Sequence, residues 1–506
     1  MTPLLRNIVA NYASQLYVIL IGLAVVPLYI KYMGMEAYGV IGFFAMLQSW
    51  MTLLDLGLSP TLGREASKLK AGVTSPGVLK LFLRFLEILF SLTALLIVAL
   101  SWILGSWIAT YWLKLESLSP SDVALCVVLV ACIISLRLLS GIYRGGLLGM
   151  ERQVVANVIA VIAATLKSVA VLPLLIWITP SILAFFLFQL IAAIVEIFLM
   201  RMAFIKVIPS AGIEKFRWKL LQGPLRFGAG LAFLSAVWIV ISQSDKLILS
   251  HILPMQNYGE FMLATSVAWG AYSLISPLQQ AVLPRLVVLF EQNQHDKFTL
   301  LYRQTTMLMA AILAGVAGAM AAYPEHVLFA WTGNATVAAR AAEILRWYVS
   351  GSSFMALAGM AYVLQHARGD LRMHIRGNLL NVFILVPSTI VLTLKFGAIG
   401  AAITWAGTNL FFLIVWTRIV HKKFLPEIAN SWLFKDVFPA VLIGALVVII
   451  GFQVDWPMSS RLTSFIGLVM LVVLISGLTL LIHQETKRMM SSYLKGILRF
   501  LCTKNA

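Results

Sequence analysis

Continuous apolar runs of about twenty residues recur along the chain, separated by short polar stretches. A run of that length spans a bilayer as a helix. Fourteen such runs predict helices at about 8–30, 39–59, 82–109, 122–143, 154–178, 180–200, 226–250, 259–283, 305–330, 342–366, 378–395, 398–418, 437–455 and 462–482. The runs are unbroken rather than alternating, which argues against a membrane β-barrel. Helices also satisfy their own backbone groups, as lipid requires. The first run, Ile8 to Ile30, is longer than the apolar core of a signal peptide and lacks a small-residue cleavage site after it, so it reads as a span. Two basic stretches carry a helical apolar face. Ile213, Phe216 and Leu220 lie within the first, and Met490, Leu494, Ile497 and Leu501 within the second. Both are expected to lie on an anionic membrane surface.

Composition agrees with this pattern. The chain is 61% hydrophobic and 11% charged, where soluble domains carry about a quarter charged residues. A soluble enzyme, a secreted disulfide scaffold and a disordered tail are excluded. The net charge of +18 would point to nucleic acid in a soluble protein, but here its distribution is more informative. Of 38 Lys and Arg residues, 29 fall in the N-terminus, the even-numbered loops with their flanks, and the tail. Six fall in the odd-numbered loops, and Arg137, Lys167 and Lys246 fall inside spans. The positive-inside rule then predicts cytoplasmic termini. No nucleic-acid partner is expected. Cys126, Cys132 and Cys502 form no metal or disulfide pattern. No G-x-x-x-x-G-K-[ST] loop and no H-E-x-x-H motif occurs, so neither a cofactor nor a catalytic site is expected.

A weak internal repeat organises the chain. Met35-Glu-Ala-Tyr-Gly39 returns as Met255-Gln-Asn-Tyr-Gly259, Gly149 as Gly369 and Arg152 as Arg372, all at an offset of 220; Trp112 returns as Trp331 at 219. Spans 1–6 then repeat as spans 7–12 in the same orientation, a parallel repeat about the membrane normal. The expected fold class is an all-α polytopic membrane protein with about 14 transmembrane helices: two six-helix lobes plus two appended helices. The expected parts are a lobe at 1–200, a basic cytoplasmic linker at 201–224, a second lobe at 225–420, the appended pair at 421–482 and an amphipathic tail at 483–506.

Charges at mid-membrane are costly and usually functional. Arg137, Lys167 and Lys246, with Asn11, Gln15, Gln48 and Gln243, are candidates for a substrate path; Asp55, Glu196 and Asp245 are candidates for coupling or gating. Snorkelling, ion pairs and helix–helix hydrogen bonds are the competing structural explanations. Adjacent Asp245 and Lys246 point about 100° apart on a helix and are not expected to pair. Proline interrupts spans 1, 5, 8 and 11 at Pro27, Pro173, Pro277 and Pro387.

Several short motifs add a resemblance. Val26-Pro-Leu-Tyr-Ile-Lys-Tyr-Met-Gly34, Ala37-Tyr-Gly39, Leu54-Asp-Leu-Gly-Leu-Ser59 with Arg64-Glu65, Ser242-Gln-Ser-Asp-Lys-Leu-Ile-Leu-Ser250, Tyr258-Gly259 and Pro284-Arg-Leu286 occur in that order. They resemble the polysaccharide-export proteins, the Wzx-type O-antigen flippases of the multidrug/oligosaccharidyl-lipid/polysaccharide exporter superfamily. The resemblance covers spans 1–12. It implies an alternating-access flippase in a bacterial inner membrane, driven by an ion or proton. It also implies an undecaprenyl-pyrophosphate-linked oligosaccharide as substrate, with membrane lipids, a polysaccharide polymerase and chain-length machinery as partners. Many O-antigen flippases are described with twelve spans, whereas lipid II flippases of the superfamily also carry two extra helices. A lipid II-type flippase and a hydrophobic-cation exporter are therefore the alternatives, followed by a membrane polysaccharide polymerase. The outer loops here are short for a polymerase.

Overall fold

The computed structural model describes residues 3–210, 212, 214, 218–451, 453, 454 and 456–482. The expected tail helix at 483–506 and most of the basic helix around Glu214–Lys219 lie outside the described residues. Fifteen α-helices follow in chain order: α1 (Pro3–Met51), α2 (Leu58–Lys70), α3 (Pro76–Trp107), α4 (Pro120–Gly149), α5 (Gln153–Thr165), α6 (Ile182–Ile205), α7 (Trp218–Ile252), α8 (Met255–Glu291), α9 (His295–Ala322), α10 (Pro324–Thr332), α11 (Ala335–Ala367), α12 (Arg372–Phe411), α13 (Thr417–Phe424), α14 (Phe438–Gly451) and α15 (Arg461–Ile482). Among the described residues there is no β-strand.

Ten helical stretches among the described residues are long and apolar enough to cross a membrane. Two of them each hold a predicted pair of spans. The chain turns within α1 at Gly34 (φ +86°) and within α12 at Gly397 (φ +60°), and glycine alone adopts that backbone region without strain. The two predicted spans outside these ten, at about 226–250 and 342–366, lie on α7 and α11. The protein is an all-helical polytopic membrane protein.

The chain forms two compact units, Met1–Gly259 and Glu260–Ala506. In the first unit, α2 crosses α4 on small residues. A side chain at Gly145 or Gly149 would collide with the carbonyl of Ser59 or Gly63, and one at Gly63 would lie 2.8 Å from the Gly145 carbonyl. Such close backbone approach substitutes dispersion contacts for the hydrophobic effect, which gives little drive between helices in lipid. The two repeated Met-x-x-Tyr-Gly segments also meet in this unit. Gly39 lies against the Met255 carbonyl, and Gly259 against the Met35 carbonyl. Glu36, in the first segment, accepts hydrogen bonds from the N–H groups of Glu116 (2.7 Å) and Ser117 (2.9 Å). Lys114 Nζ donates to the Ile252 carbonyl (2.7 Å) and Trp112 Nε1 to Ser250 Oγ (3.1 Å). The Met255 N–H donates to the Lys114 carbonyl (3.0 Å), so the α3–α4 connection is tied to both segments.

In the second unit, α9 is packed on several sides. Ala310, Leu313 and Ala319 sit in a core with Ala356, Met360, Leu413, Ala440 and Ile475. Helices α14 and α15 lie directly on α9. A side chain at Gly315 would meet Ser476 and Val472, while Gly318 faces Gly444. The segment leading into α14 is anchored by charge. Arg303 donates from its Nη2 to Asp436 Oδ1 (2.7 Å) and from its Nε to Oδ2 (2.9 Å) and Oδ1 (3.2 Å). Beside it Trp432 Nε1 donates to Thr306 Oγ1 (3.2 Å), and the Tyr302 hydroxyl and His421 Nε2 are 2.8 Å apart.

Candidate functional site

The continuation of α5 departs twice from α-helical geometry. After Thr165 the helix widens into a π-helical turn over Leu166–Ala170, and a second follows at Leu174–Ile178 beyond Pro173. Proline has no N–H for the helical ladder, and π-turns leave carbonyls without their usual partners and are frequent at functional sites. Side chains from neighbouring helices take those carbonyls. The Tyr29 hydroxyl donates to the Ser168 carbonyl (3.0 Å) and to that of Lys167 (3.4 Å); Gln189 Nε2 donates to the Lys167 carbonyl (2.7 Å). Lys167 is thus held at a distorted turn by α1 and α6, with its side chain half-buried.

Beside this turn lies a cavity of about 140 Å³, lined by Gln48, Arg137 and Gln189 among Phe44, Phe185 and Phe186. Three polar side chains in an apolar wall suit a small anionic or hydroxyl-bearing group. Lys167 is within electrostatic reach of Arg137, Glu196 and Arg144, and Arg137 within reach of Glu196. Among the described residues, no ion pair is formed by Arg137, Lys167 or Glu196. Two cations therefore share one carboxylate at longer range, and the local field stays positive. Arg137 adds the planar, forked geometry that matches phosphate.

The other predicted residues lie elsewhere. Asn11 Nδ2 donates to Gln153 Oε1 (3.1 Å), Asn157 Nδ2 donates to Asn11 Oδ1, and Tyr17 meets Thr165 at 2.7 Å. This polar ladder stitches α1 to α5. Gln15 is exposed and Gln243 half-buried on α7. Asp55 receives the Ser59 N–H (3.1 Å) and hydroxyl (2.5 Å). Between them Leu56 and Gly57 adopt φ of +48° and +68°. The Leu54-Asp-Leu-Gly-Leu-Ser59 motif is therefore a helix break followed by a new, capped start. One expectation is overturned: Lys246 Nζ reaches Asp245 Oδ1 at 3.2 Å and also donates to the Ser242 carbonyl at 2.8 Å. The Cα–Cβ bonds of adjacent residues do diverge, but a four-carbon stem folds back over its own turn. Both side chains are almost wholly buried, where an unpaired charge is expensive. The sequence reading missed Tyr29 and Gln189, which hold the π-turn. It also missed Gly141-x-x-x-Gly145-x-x-x-Gly149, although the four-residue spacing is a recognisable packing signal.

Comparison with known proteins places the chain. The family described as "Polysaccharide biosynthesis protein" matches residues 4–290, more than half of the 506 residues. The chain belongs to the polysaccharide biosynthesis protein family. This family member is also 24% identical over 430 residues to a Shigella flexneri protein described as "Putative O-antigen transporter", covering 80% of this chain and 94% of that one. Its fold is similar to that of the lipid II flippase MurJ in an inward closed conformation, with a TM-score of 0.69, 14% identity and coverage of 95% of this chain and all of the other. It is similar too to an inward-facing multidrug resistance MATE family transporter of the MOP superfamily. There the TM-score is 0.68, the identity 13% and the coverage 81% and 96%. The polysaccharide biosynthesis family member thus shares its fold with these two proteins.

Proposed function

We propose that this protein is a flippase for an undecaprenyl-pyrophosphate-linked oligosaccharide of the O-antigen or surface-polysaccharide type. It moves the lipid from the cytoplasmic to the periplasmic leaflet of a bacterial inner membrane by alternating access, with both termini cytoplasmic. The observation that carries the substrate class is the pairing of Arg137 and Lys167 at membrane depth with no carboxylate in ion-pair contact among the described residues. The pyrophosphate bridge between lipid and sugar is a dianion, and Arg137 in the cavity wall with Lys167 beside it would attract it strongly. Family membership and the O-antigen relative support the same class. Glu196, within electrostatic reach of both cations, is the coupling residue in this reading, driven by a proton or ion gradient. The flipped lipid would be passed to a polymerase and its chain-length machinery.

A lipid II-type substrate is the second reading. The match to the lipid II flippase covers 95% of this chain, whereas that to the MATE transporter covers 81%, which favours a substrate of the former kind. A hydrophobic-cation exporter fits less well: of the acidic candidates, Asp245 is paired with Lys246 and Asp55 caps a helix. The test is reconstitution in vesicles with a lipid-linked sugar in one leaflet and a membrane-impermeant reagent that reports its arrival in the other. Arg137→Gln and Lys167→Gln should each slow transfer at unchanged membrane abundance, and the Lys↔Arg exchanges should slow it less. Normal transfer by both Gln variants would sink the cationic-site reading.

A further inference from the structure

We infer that Tyr362, His366, His374 and Asn378 of the second unit form a recognition site for the sugar rings of a lipid-linked headgroup; this deepens the flippase reading and rests on it. Tyr362 and His366 lie one turn apart at the end of α11, and both are exposed. His366 Nδ1 and the Tyr362 hydroxyl are 3.1 Å apart. His374, in the first turn of α12, brings its ring centroid to 4.6 Å from that of Tyr362. Asn378 Nδ2 and His374 Nε2 are 3.2 Å apart. The arrangement is braced from behind, because the His374 N–H donates to Oε1 of buried Gln365 at 2.7 Å.

Its chemistry follows from what these bonds leave over. The Asn378–His374 bond uses one terminal atom of the amide and one ring nitrogen. The other amide atom and the other ring nitrogen are then one donor and one acceptor, whichever way the amide is turned. Next to them stands the face of Tyr362. A sugar ring offers the complement: neighbouring hydroxyls that both donate and accept, and an apolar C–H face. The site flanks the turn Arg368–Leu371 between α11 and α12.

The repeat shows that the helical scaffold does not require these side chains. At the offset of 220 their counterparts in the first half are Ile142, Gly146, Val154 and Val158. The same helix pair is thus built once with aliphatic and small residues and once with tyrosine, two imidazoles and an amide.

Two probes separate this inference from the reading beneath it: undecaprenyl pyrophosphate, and the same lipid carrying one N-acetylhexosamine. Binding of each to the detergent-solubilised full chain is measured by native mass spectrometry titration. The wild type should prefer the glycosylated lipid by about tenfold, the scale of one or two net hydrogen bonds with a stacked ring. Tyr362→Ala and His374→Ala should remove most of that preference and leave affinity for the bare lipid unchanged. No preference in the wild type, an undiminished preference in both variants, or an equal loss for both probes would overturn the sugar site. Failure of the bare lipid to bind the wild type would instead overturn the flippase reading. Should Tyr362→Ala not fold, Tyr362→Phe and Asn378→Ala probe the polar groups alone, with about a threefold loss of preference expected and no loss overturning the inference.

Discussion

Replacing Arg303 with Met should destabilise the second unit by about 3 kcal/mol. Arg303 makes three N–H···O contacts to Asp436, whose side chain is 0% exposed, while its own is 24% exposed. Breaking a buried pair from one side costs about 3–5 kcal/mol, because the remaining charge is left in a poor solvent. The lower end applies, since water can partly reach the vacated position. At about 2–4 °C per kcal/mol for a unit of this size, the unfolding midpoint should fall by about 6–12 °C. The assay is tryptophan fluorescence during heating in detergent, and Trp432 lies close enough to Asp436 to report locally. Arg303→Met/Asp436→Leu removes both charges and should recover part of the loss. That double-mutant comparison also separates this pair from the other contacts the two residues share with their surroundings. A midpoint within 2 °C of wild type for Arg303→Met, or a double variant as costly as the two single changes together, would refute the argument.

Three further outcomes follow from the geometry. Gly145→Leu should abolish membrane accumulation of folded protein, measured by fluorescence-detected gel filtration, because its side chain would enter the Ser59 backbone; accumulation at wild-type level would show that α2 and α4 can separate. Asp55→Ala should lower stability by about 1 kcal/mol, as lost helix caps do, and leave the dependence of transport on an imposed ion gradient intact; loss of that dependence would restore Asp55 to a coupling role. Glu196→Gln should keep expression and substrate binding but uncouple transport from the gradient, and a variant that still responds fully to the gradient would remove Glu196 from the mechanism.

Much of the fold was legible because lipid demands long apolar helices, and hydropathy reads these directly. The two turns hidden inside long helical stretches fell between predicted spans, at Gly34 and Gly397, where glycine supplies the required backbone. Helices α14 and α15 were legible as apolar runs. Their packing was not, because the signal lies in Gly315 and Gly318 of α9, small residues that carry no mark of their partner. In the site, Arg137, Lys167 and Gln48 stood out as polar groups at membrane depth, and the structure sets Arg137 and Gln48 on one cavity with Lys167 nearby. Asn11, Asp55 and Asp245 stood out for the same reason, and in the structure they join a ladder, a cap and a local pair. A helical wheel gives the direction in which a side chain leaves the backbone. It does not give where a lysine stem ends or which hydroxyl meets a carboxylate four residues away.

The reciprocal meeting of Gly39 with the Met255 carbonyl and of Gly259 with the Met35 carbonyl has a genetic consequence. If the halves descend from one duplicated ancestor, each copy of this short segment became part of the environment of the other. Here an enlargement in either copy is resisted by the backbone of its twin, so both sites are held to glycine by a single steric condition. Saturation mutagenesis should find these two positions equally intolerant. Suppressors of a mild substitution at one of them should map beside the other, some 220 codons away.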